Sequence, residues 1–179
     1  GKEGNDILNI QTGIAIPPAT ILNLTSIETV NVKSAVPLTL NGSNWEGTNT
    51  LNVTQATTSA DLIAAATTDV NVSGVTGTVD VDGGKNVNVT VAATGTATTI
   101  GATTGAAGTV TVTDAAQAGS AIAVDGGTDV TITASGNTGG AIGVGQDITP
   151  ILPTGAVKVT STGVLTDAGN AGADTKLVQ

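Results

Sequence analysis

The sequence predicts an all-β fold, a parallel β-helix (β-solenoid) with coils of about 20 residues. Three observations support this. A short pattern of apolar, polar and apolar residues recurs along the whole 179-residue chain, and 25 glycines can supply the corners between strands. Aromatic residues make up only 1% of the chain, so the core must be slim and built from small aliphatic side chains.

The first observation is the repeated strand triplet. Its eight copies recur at an uneven spacing that averages about 21 residues, which is typical of a solenoid. The copies are Leu8-Asn9-Ile10, Val30-Asn31-Val32, Leu51-Asn52-Val53, Val70-Asn71-Val72, Val87-Asn88-Val89, Val110-Thr111-Val112, Val130-Thr131-Ile132 and Val157-Lys158-Val159.

Alternation along each triplet places both apolar residues on one face of the strand and the middle residue on the other. Parallel stacking would then align the middle residues into a side-chain ladder of amides that passes into threonines. The predicted ladder consists of Asn9, Asn31, Asn52, Asn71 and Asn88, followed by Thr111 and Thr131.

A second strand is predicted in most coils. Its candidates are the apolar pairs Leu22/Leu24, Leu38/Leu40, Val79/Val81, Ile122/Val124 and Ile142/Val144. The segment Ser59 to Ala66 is either a short helical turn or another buried strand. An antiparallel β-sandwich is the alternative fold, because a repeat of this length also suits two-strand hairpins.

The chain is predicted to be one elongated solenoid, residues 1-179, excised from a larger protein, since no Met begins it. Residues 1-65 are less regular and include Trp45, which either plugs the local core or forms an exposed contact. Residues 66-145 are regular repeats of Thr, Ala, Gly and Val. Residues 146-179 are irregular, with Pro150 and Pro153 interrupting any ladder.

The composition excludes most catalytic chemistry. There is no His, Cys, Arg or Tyr, whereas about a fifth of the chain is Thr. Nucleophile-base pairs, His or Cys metal sites and arginine clamps on phosphate therefore cannot be built. Asp80 and Asp82 share a strand face, but nothing else in the sequence builds a sugar cleft around such a carboxylate pair. The chain is predicted not to be an enzyme.

The net charge of −9 disfavours nucleic acid and anionic membrane surfaces, and no apolar stretch is long enough for membrane insertion. Two acidic, glycine-rich corners offer hard oxygen ligands for calcium: Asp80 and Asp82 before Gly83, and Asp125 and Asp129 around Gly126-Gly127. The alternative for both corners is a solvated turn in which Asp favours the corner conformation.

Three sequence segments resemble those of a known protein family. The opening Gly4-Asn5-Asp6-Ile7-Leu8-Asn9 is similar to the calcium-binding nonapeptide of RTX proteins, with Lys2 where a glycine is usual. Residues 24-32 and 47-53 resemble segments of bacterial surface-layer (S-layer) proteins and large RTX-type adhesins, except that Asn49 stands where Asp is common. The resemblance implies a secreted, calcium-stabilised β-solenoid on the bacterial cell surface, with Gly4, Asn5 and Asp6 as calcium ligands.

The repeat and the missing catalytic side chains together predict a structural, self-assembling protein of an S-layer lattice or extracellular matrix fibre. Its partners would be other copies of the parent chain and cell-surface polysaccharide. The alternative is an adhesin module that binds glycan or ice through a threonine array about two coils tall, formed by Thr109, Thr111 and Thr113 above Thr131 and Thr133.

Overall fold

The predicted all-β solenoid is confirmed. The computed structural model describes residues 4–16, 23–91, 96–115, 121–134, 141–145 and 149–161, and the backbone of 175–178. These residues form a parallel β-solenoid of about six turns with coils about 21 residues apart, and they contain no helix. All strand pairs among them are parallel, so the β-sandwich alternative is wrong.

Fifteen strands follow one another along the described part of the chain. They are β1 (Ile7–Thr12), β2 (Thr29–Ser34), β3 (Leu38–Gly42), β4 (Thr50–Gln55), β5 (Ser59–Ala64), β6 (Asp69–Val72), β7 (Thr78–Gly83), β8 (Val87–Val91), β9 (Thr98–Ile100), β10 (Val110–Asp114), β11 (Ile122–Val124), β12 (Val130–Ala134), β13 (Ile142–Val144), β14 (Val157–Ser161) and β15 (Thr175–Val178).

The strands form two sheets. The nine-stranded sheet has the order β1-β2-β4-β6-β8-β10-β12-β14-β15, and the six-stranded sheet has the order β3-β5-β7-β9-β11-β13. All eight predicted triplets lie in the nine-stranded sheet, and their first residues are aligned from Leu8 to Val157. The repeated triplet therefore predicted the register of this sheet.

The second set of strands is also mostly as predicted. Leu38/Leu40, Val79/Val81, Ile122/Val124 and Ile142/Val144 lie in β3, β7, β11 and β13. Leu22 lies outside the described residues. The segment from Ser59 forms strand β5, so its helical alternative is wrong. Strand β9 was not predicted, because its inward position is occupied by Thr98.

The core lies between the sheets and is built from the inward residues of every coil. Val30, Val53, Val89 and Val110 are fully buried. Trp45 is also buried and packs on Gly42, where an added Cβ would lie 2.9 Å from Trp45 Cε3. The interpretation of Trp45 as a plug of the local core is therefore confirmed.

Glycine makes the predicted corners. Gly83 and Gly84 have φ of 76° and 85°, and Gly126 and Gly127 have φ of 80° and 87°. This left-handed region is open to glycine at little steric cost. Within the described ranges, no helix has the length and apolarity needed to cross a membrane.

Side-chain amides connect the first coils along the outside of the nine-stranded sheet. Asn31 Nδ2 donates to Asn9 Oδ1 at 2.9 Å, and Asn52 Nδ2 donates to Asn31 Oδ1 at 2.8 Å. Asn71 Nδ2 donates to Asn52 Oδ1 at 3.0 Å. Among the described residues the bonded part of the ladder ends at Asn71, although Asn88 continues its register. Each of these bonds points in the same direction, toward β1.

Substitution of Asn52 by Ala tests the ladder. It removes one donated and one accepted bond, and we expect a loss of about 1–3 kcal/mol in the free energy of unfolding. Urea unfolding followed by Trp45 fluorescence measures this loss. Asn88→Ala is the matched control, since it changes the same strand position outside the bonded ladder and should cost less than about 0.5 kcal/mol. Equal losses for the two variants would contradict a stabilising ladder.

Candidate functional site

The predicted calcium ligands lie in three separate places. Gly4 and Asn5 are exposed and precede β1, and Asp6 is half-buried. Asp6 N donates to Glu28 Oε2 at 2.7 Å, and Asp6 O accepts from Glu28 N at 3.2 Å. The Asp6 backbone is thus fixed to the following coil, and the Glu28 carboxylate reaches the predicted motif. Asp6 and Glu28 are 22 residues apart, the same separation as that of Leu8 and Val30 in the first two triplets. The repeat spacing could therefore have predicted that Glu28 lies beside Asp6.

Asp80 and Asp82 share the outward face of β7, as predicted from their spacing. The register of the six-stranded sheet places Asp61 of β5 beside Asp80. Three carboxylates from two neighbouring coils therefore lie along one patch, here called the acidic row and defined as Asp61, Asp80 and Asp82. Asp61 was missed in the sequence because the repeat pattern of β5 was ambiguous.

The two predicted members of the acidic row have different surroundings. Asp82 Oδ1 accepts hydrogen bonds from Thr103 N at 2.8 Å and Thr104 N at 3.2 Å, so it fixes the loop after β9. Asp80 Oδ1 is buried and has no hydrogen-bond partner within the described structure. Burial raises the pKa of the Asp80 carboxyl, and the negative charges of Asp82 and Asp61 raise it further.

Asp125 and Asp129 flank the same corner and adjoin strands of different sheets. Asp125 is buried after β11, and its N–H donates to Ile100 O at 2.7 Å. Asp129 is exposed before β12, and its Oδ1 accepts from Ala156 N at 2.7 Å in the next coil. A Cβ on Gly155 would collide with that oxygen, so this glycine makes room for the contact.

The same capping arrangement occurs two coils earlier. Asn86 Oδ1 accepts from Thr109 N at 2.9 Å, and a Cβ on Gly108 would collide with it. Asn86 Nδ2 in turn donates to Asp69 Oδ1 at 2.8 Å. These side chains satisfy backbone groups between coils, which is the role that Asn and Asp commonly have in turns. Asp129 has that role as well.

These polar caps accommodate coils of unequal length. The step from Val70 to Val87 is the shortest between triplets and the step from Val130 to Val157 is the longest, yet both pairs remain aligned. At each cap a side chain from one coil binds an amide immediately before the next strand of the same sheet. Each cap therefore holds the start of the next strand in register across a separation of 23 or 27 residues.

The acidic side chains of the described residues do not by themselves form a complete metal site. Within the described ranges, no three acidic side chains lie close enough together to hold one metal ion between them. An ion at the acidic row would therefore need further oxygens from backbone carbonyls, water or another chain, all of which calcium accepts. The chemistry of the row fits a cation, because Asp80 carries an unsatisfied buried oxygen between two like charges.

The outward face of the nine-stranded sheet carries a row of hydroxyls. Thr90, Thr113, Thr133 and Thr160 are aligned in four successive coils, and Thr111 is aligned with Thr131. The threonine array is therefore taller than the two coils expected from the sequence. A polar hollow of about 370 Å³ lies beside it and is lined by Asn71, Asn86, Asn88 and Thr111, among others.

No protein-family model matches the chain, and no curated protein matches it either.

Asp80→Asn is expected to stabilise the protein at neutral pH. The folded state raises the pKa of Asp80, so it binds this proton more tightly than the unfolded state does. The resulting stability is fully present below the ordinary Asp pKa and is lost as the pH rises through the raised value. Removing the charge should recover up to about 1 kcal/mol at pH 7, limited by solvent screening.

Urea unfolding at pH 7 and at pH 3.5 measures this effect. The gain from Asp80→Asn should be present at pH 7 and nearly absent at pH 3.5. Glu46→Gln is the control, since it removes one exposed negative charge at another corner. The same gain at pH 7 from both variants would assign the effect to the net charge rather than to the acidic row.

Proposed function

We propose that the chain is a structural, non-enzymatic protein of the bacterial cell surface that self-assembles into an S-layer lattice or an extracellular matrix fibre. The observation that carries the proposal is the parallel alignment of all eight triplets across the nine-stranded sheet. In such a stack each coil is a template for the next, and the open edges must be capped or used for assembly. The function is then mechanical, and the outer faces and the edges are its working surfaces.

The roles of the acidic residues support a non-enzymatic function. Carboxylates are the main acid-base groups that the composition leaves, and two of them hold backbone amides of a neighbouring segment. Asp82 binds the amides of Thr103 and Thr104, and Asp129 binds the amide of Ala156. These residues stabilise loops and coils, which is a sufficient reason for their presence.

Calcium is the proposed stabilising ion, and the acidic row is where it is most needed. Bound calcium would supply positive charge among Asp61, Asp80 and Asp82 and a partner for the buried Asp80 oxygen. Asp6 and Glu28 form a second pair of acidic groups, joined by the Asp6 amide at the coil of β1. Extracellular fluids contain enough calcium for the weak sites of secreted modules, so this proposal agrees with secretion to the cell surface.

The proposed partners are other copies of the chain and cell-surface polysaccharide. The net charge of −9 supports this choice, because it repels the phosphates of nucleic acids and anionic membranes. Asn and Thr on the outer face suit the hydroxyls of a glycan, with which they exchange hydrogen bonds as donors and acceptors.

A calcium titration of the chain tests this function. We expect calcium to increase both β-sheet circular dichroism and particle size by light scattering, and a chelator to reverse both changes. Electron microscopy should then show fibres or sheets. The Asp80→Asn, Asp82→Asn double variant should need about tenfold more calcium, whereas the control Asp129→Asn should respond like the parent chain.

Two results would count against this proposal. A chain that is folded, monomeric and indifferent to calcium at all concentrations would contradict both assembly and calcium binding. Calcium-driven assembly with the same midpoint in the double variant would contradict only the acidic row as the site.

The second candidate function is an adhesin that binds glycan or ice. The four-coil threonine row favours it, because parallel strands space its hydroxyls at a regular interval of about 4.8 Å. We expect such an adhesin to show thermal hysteresis or glycan-array binding that Thr113→Lys abolishes. Thr54→Lys, an exposed threonine on the same face but three coils away, is the control. Absence of activity in both assays would exclude this candidate.

A further inference from the structure

The polar hollow of about 370 Å³ lies on the outer face of the nine-stranded sheet. It extends over β6, β8 and β10, which are three consecutive strands of that sheet. Seven of the eight residues that line it have polar side chains, and Val87 is the exception. Its volume falls within the range of about 300–1,000 Å³ that is usual for small-molecule sites.

One side of the hollow is fixed by hydrogen bonds between side chains and the backbone of three successive coils. Thr109 N and Thr109 Oγ1 donate to Asn86 Oδ1 at 2.9 and 3.0 Å. Asn86 Nδ2 donates to Asp69 Oδ1 at 2.8 Å. Asp69 Oδ2, by contrast, has no hydrogen-bond partner within the described structure. A ligand that binds this oxygen therefore meets a carboxylate that is already held in place, which lowers the entropic cost of binding.

The other side of the hollow is the place where the amide ladder is interrupted. Asn88 is aligned with Asn71, and Thr111 is aligned with Asn88, so the register would allow the ladder to continue. The three earlier amide pairs of the ladder are bonded at 2.8–3.0 Å. Here, however, Asn71 Oδ1, the Asn88 amide and the Thr111 hydroxyl have no hydrogen-bond partner among the described residues. The interruption of the ladder thus leaves free polar groups along the hollow.

These free groups include both donors and acceptors. Asp69 Oδ2 and Asn71 Oδ1 only accept, and Asn88 Nδ2 only donates. The Thr111 hydroxyl does both. A sugar ring carries several hydroxyls, each of which is a donor and an acceptor, so one ring can satisfy such a mixed set.

Charge selects among the possible ligands. Asp69 is the one ionisable residue among those that line the hollow in the described part of the chain. An acidic sugar would be repelled by its carboxylate. A divalent cation would find a single carboxylate, whereas calcium takes about six to eight oxygen ligands, and it would also face the N–H groups of Asn86 and Asn88. An uncharged sugar meets neither obstacle.

We propose that the polar hollow binds an uncharged sugar unit of a polysaccharide; this inference rests on the polysaccharide partner of the proposed function. Sugar hydroxyls donate to Asp69 Oδ2 and Asn71 Oδ1. Asn88 Nδ2 donates to a sugar oxygen, and the Thr111 hydroxyl completes the set. Only Val87 offers an apolar contact, so a single unit binds weakly. Several copies of the chain in one assembly would bind a polymer more tightly through multivalency.

Saturation-transfer NMR tests this site, because it observes the sugar and therefore suits single chains and assemblies alike. Maltotriose, mannotriose and chitotriose are the neutral probes, and trigalacturonic acid is the acidic probe. We expect at least one neutral probe to bind the folded chain at least about fivefold more tightly than the acidic probe in low-salt buffer. This ratio is what the repulsion between two charges about 4 Å apart in water produces.

Three variants assign the binding to the hollow. Asn88→Ala should weaken it about tenfold, as expected for two lost hydrogen bonds, without destabilising the chain. Thr131→Ala is the matched control, since Thr131 lies in the same row of the sheet but does not line the hollow. Asp69→Asn should bring the affinities for the neutral and acidic probes closer together. Trp45 fluorescence verifies that each variant is folded.

Three results would overturn the proposal. The first is that the folded chain binds none of the neutral probes. The second is that Asn88→Ala and Thr131→Ala weaken binding equally. The third is that Thr113→Lys abolishes binding while Asn88→Ala leaves it unchanged, because Thr113 does not line the hollow and this result would assign the sugar to the threonine row.

The failure of this site can be distinguished from the failure of the proposed function. Calcium-driven fibres or sheets that bind no neutral sugar would overturn the site and leave the structural function standing. Sugar binding that Asn88→Ala weakens, in a chain that never assembles, would support the site and count against lattice or fibre assembly.

Discussion

In-register parallel stacking is the constraint on which the rest of this structure depends. It brings each position of one coil to within about 4.8 Å of the same position in the next. An apolar side chain in one coil therefore favours an apolar neighbour in the next, and aligned aliphatic residues repeat from Leu8 to Val157. Amides are favoured outside because each one can donate to the next and accept from the previous one. Like charges are disfavoured, since they would lie side by side.

The acidic row is an exception to that rule. Asp61 and Asp80 are aligned in neighbouring strands, and Asp82 follows on the same face. The stack otherwise favours Asn and Thr at outward positions, but here it carries three carboxylates on one patch. Burial and the negative charges of the other two carboxylates raise the pKa of Asp80, so its charged form costs folding free energy. A bound cation would offset this cost, whereas the alternative explanation of these carboxylates, a solvated turn, gives no such compensation. For this reason the acidic row supports the calcium proposal better than Asp129, whose Oδ1 has a backbone partner.

The strands could be predicted from the sequence where the repeat was regular. The eight triplets identified one sheet, because their alternation and spacing survive insertions in the loops. The sequence was insufficient for β5 and β9. In β5 the outward Ile63 is 38% exposed and makes the segment resemble a continuous apolar run. In β9 the inward Thr98 is buried and interrupts the apolar alternation. Asp61 was missed as a site residue because its position depends on the register of β5.

The direction of the amide bonds gives the solenoid a polarity. Asn31, Asn52 and Asn71 each donate to the amide of the coil before them, so all three bonds point toward β1. An amide suits this position because it has both donor and acceptor capacity. Lys158, at the aligned position of β14, has only donors and cannot continue such a chain of bonds. How far the ladder extends therefore depends in part on the middle residue of each triplet.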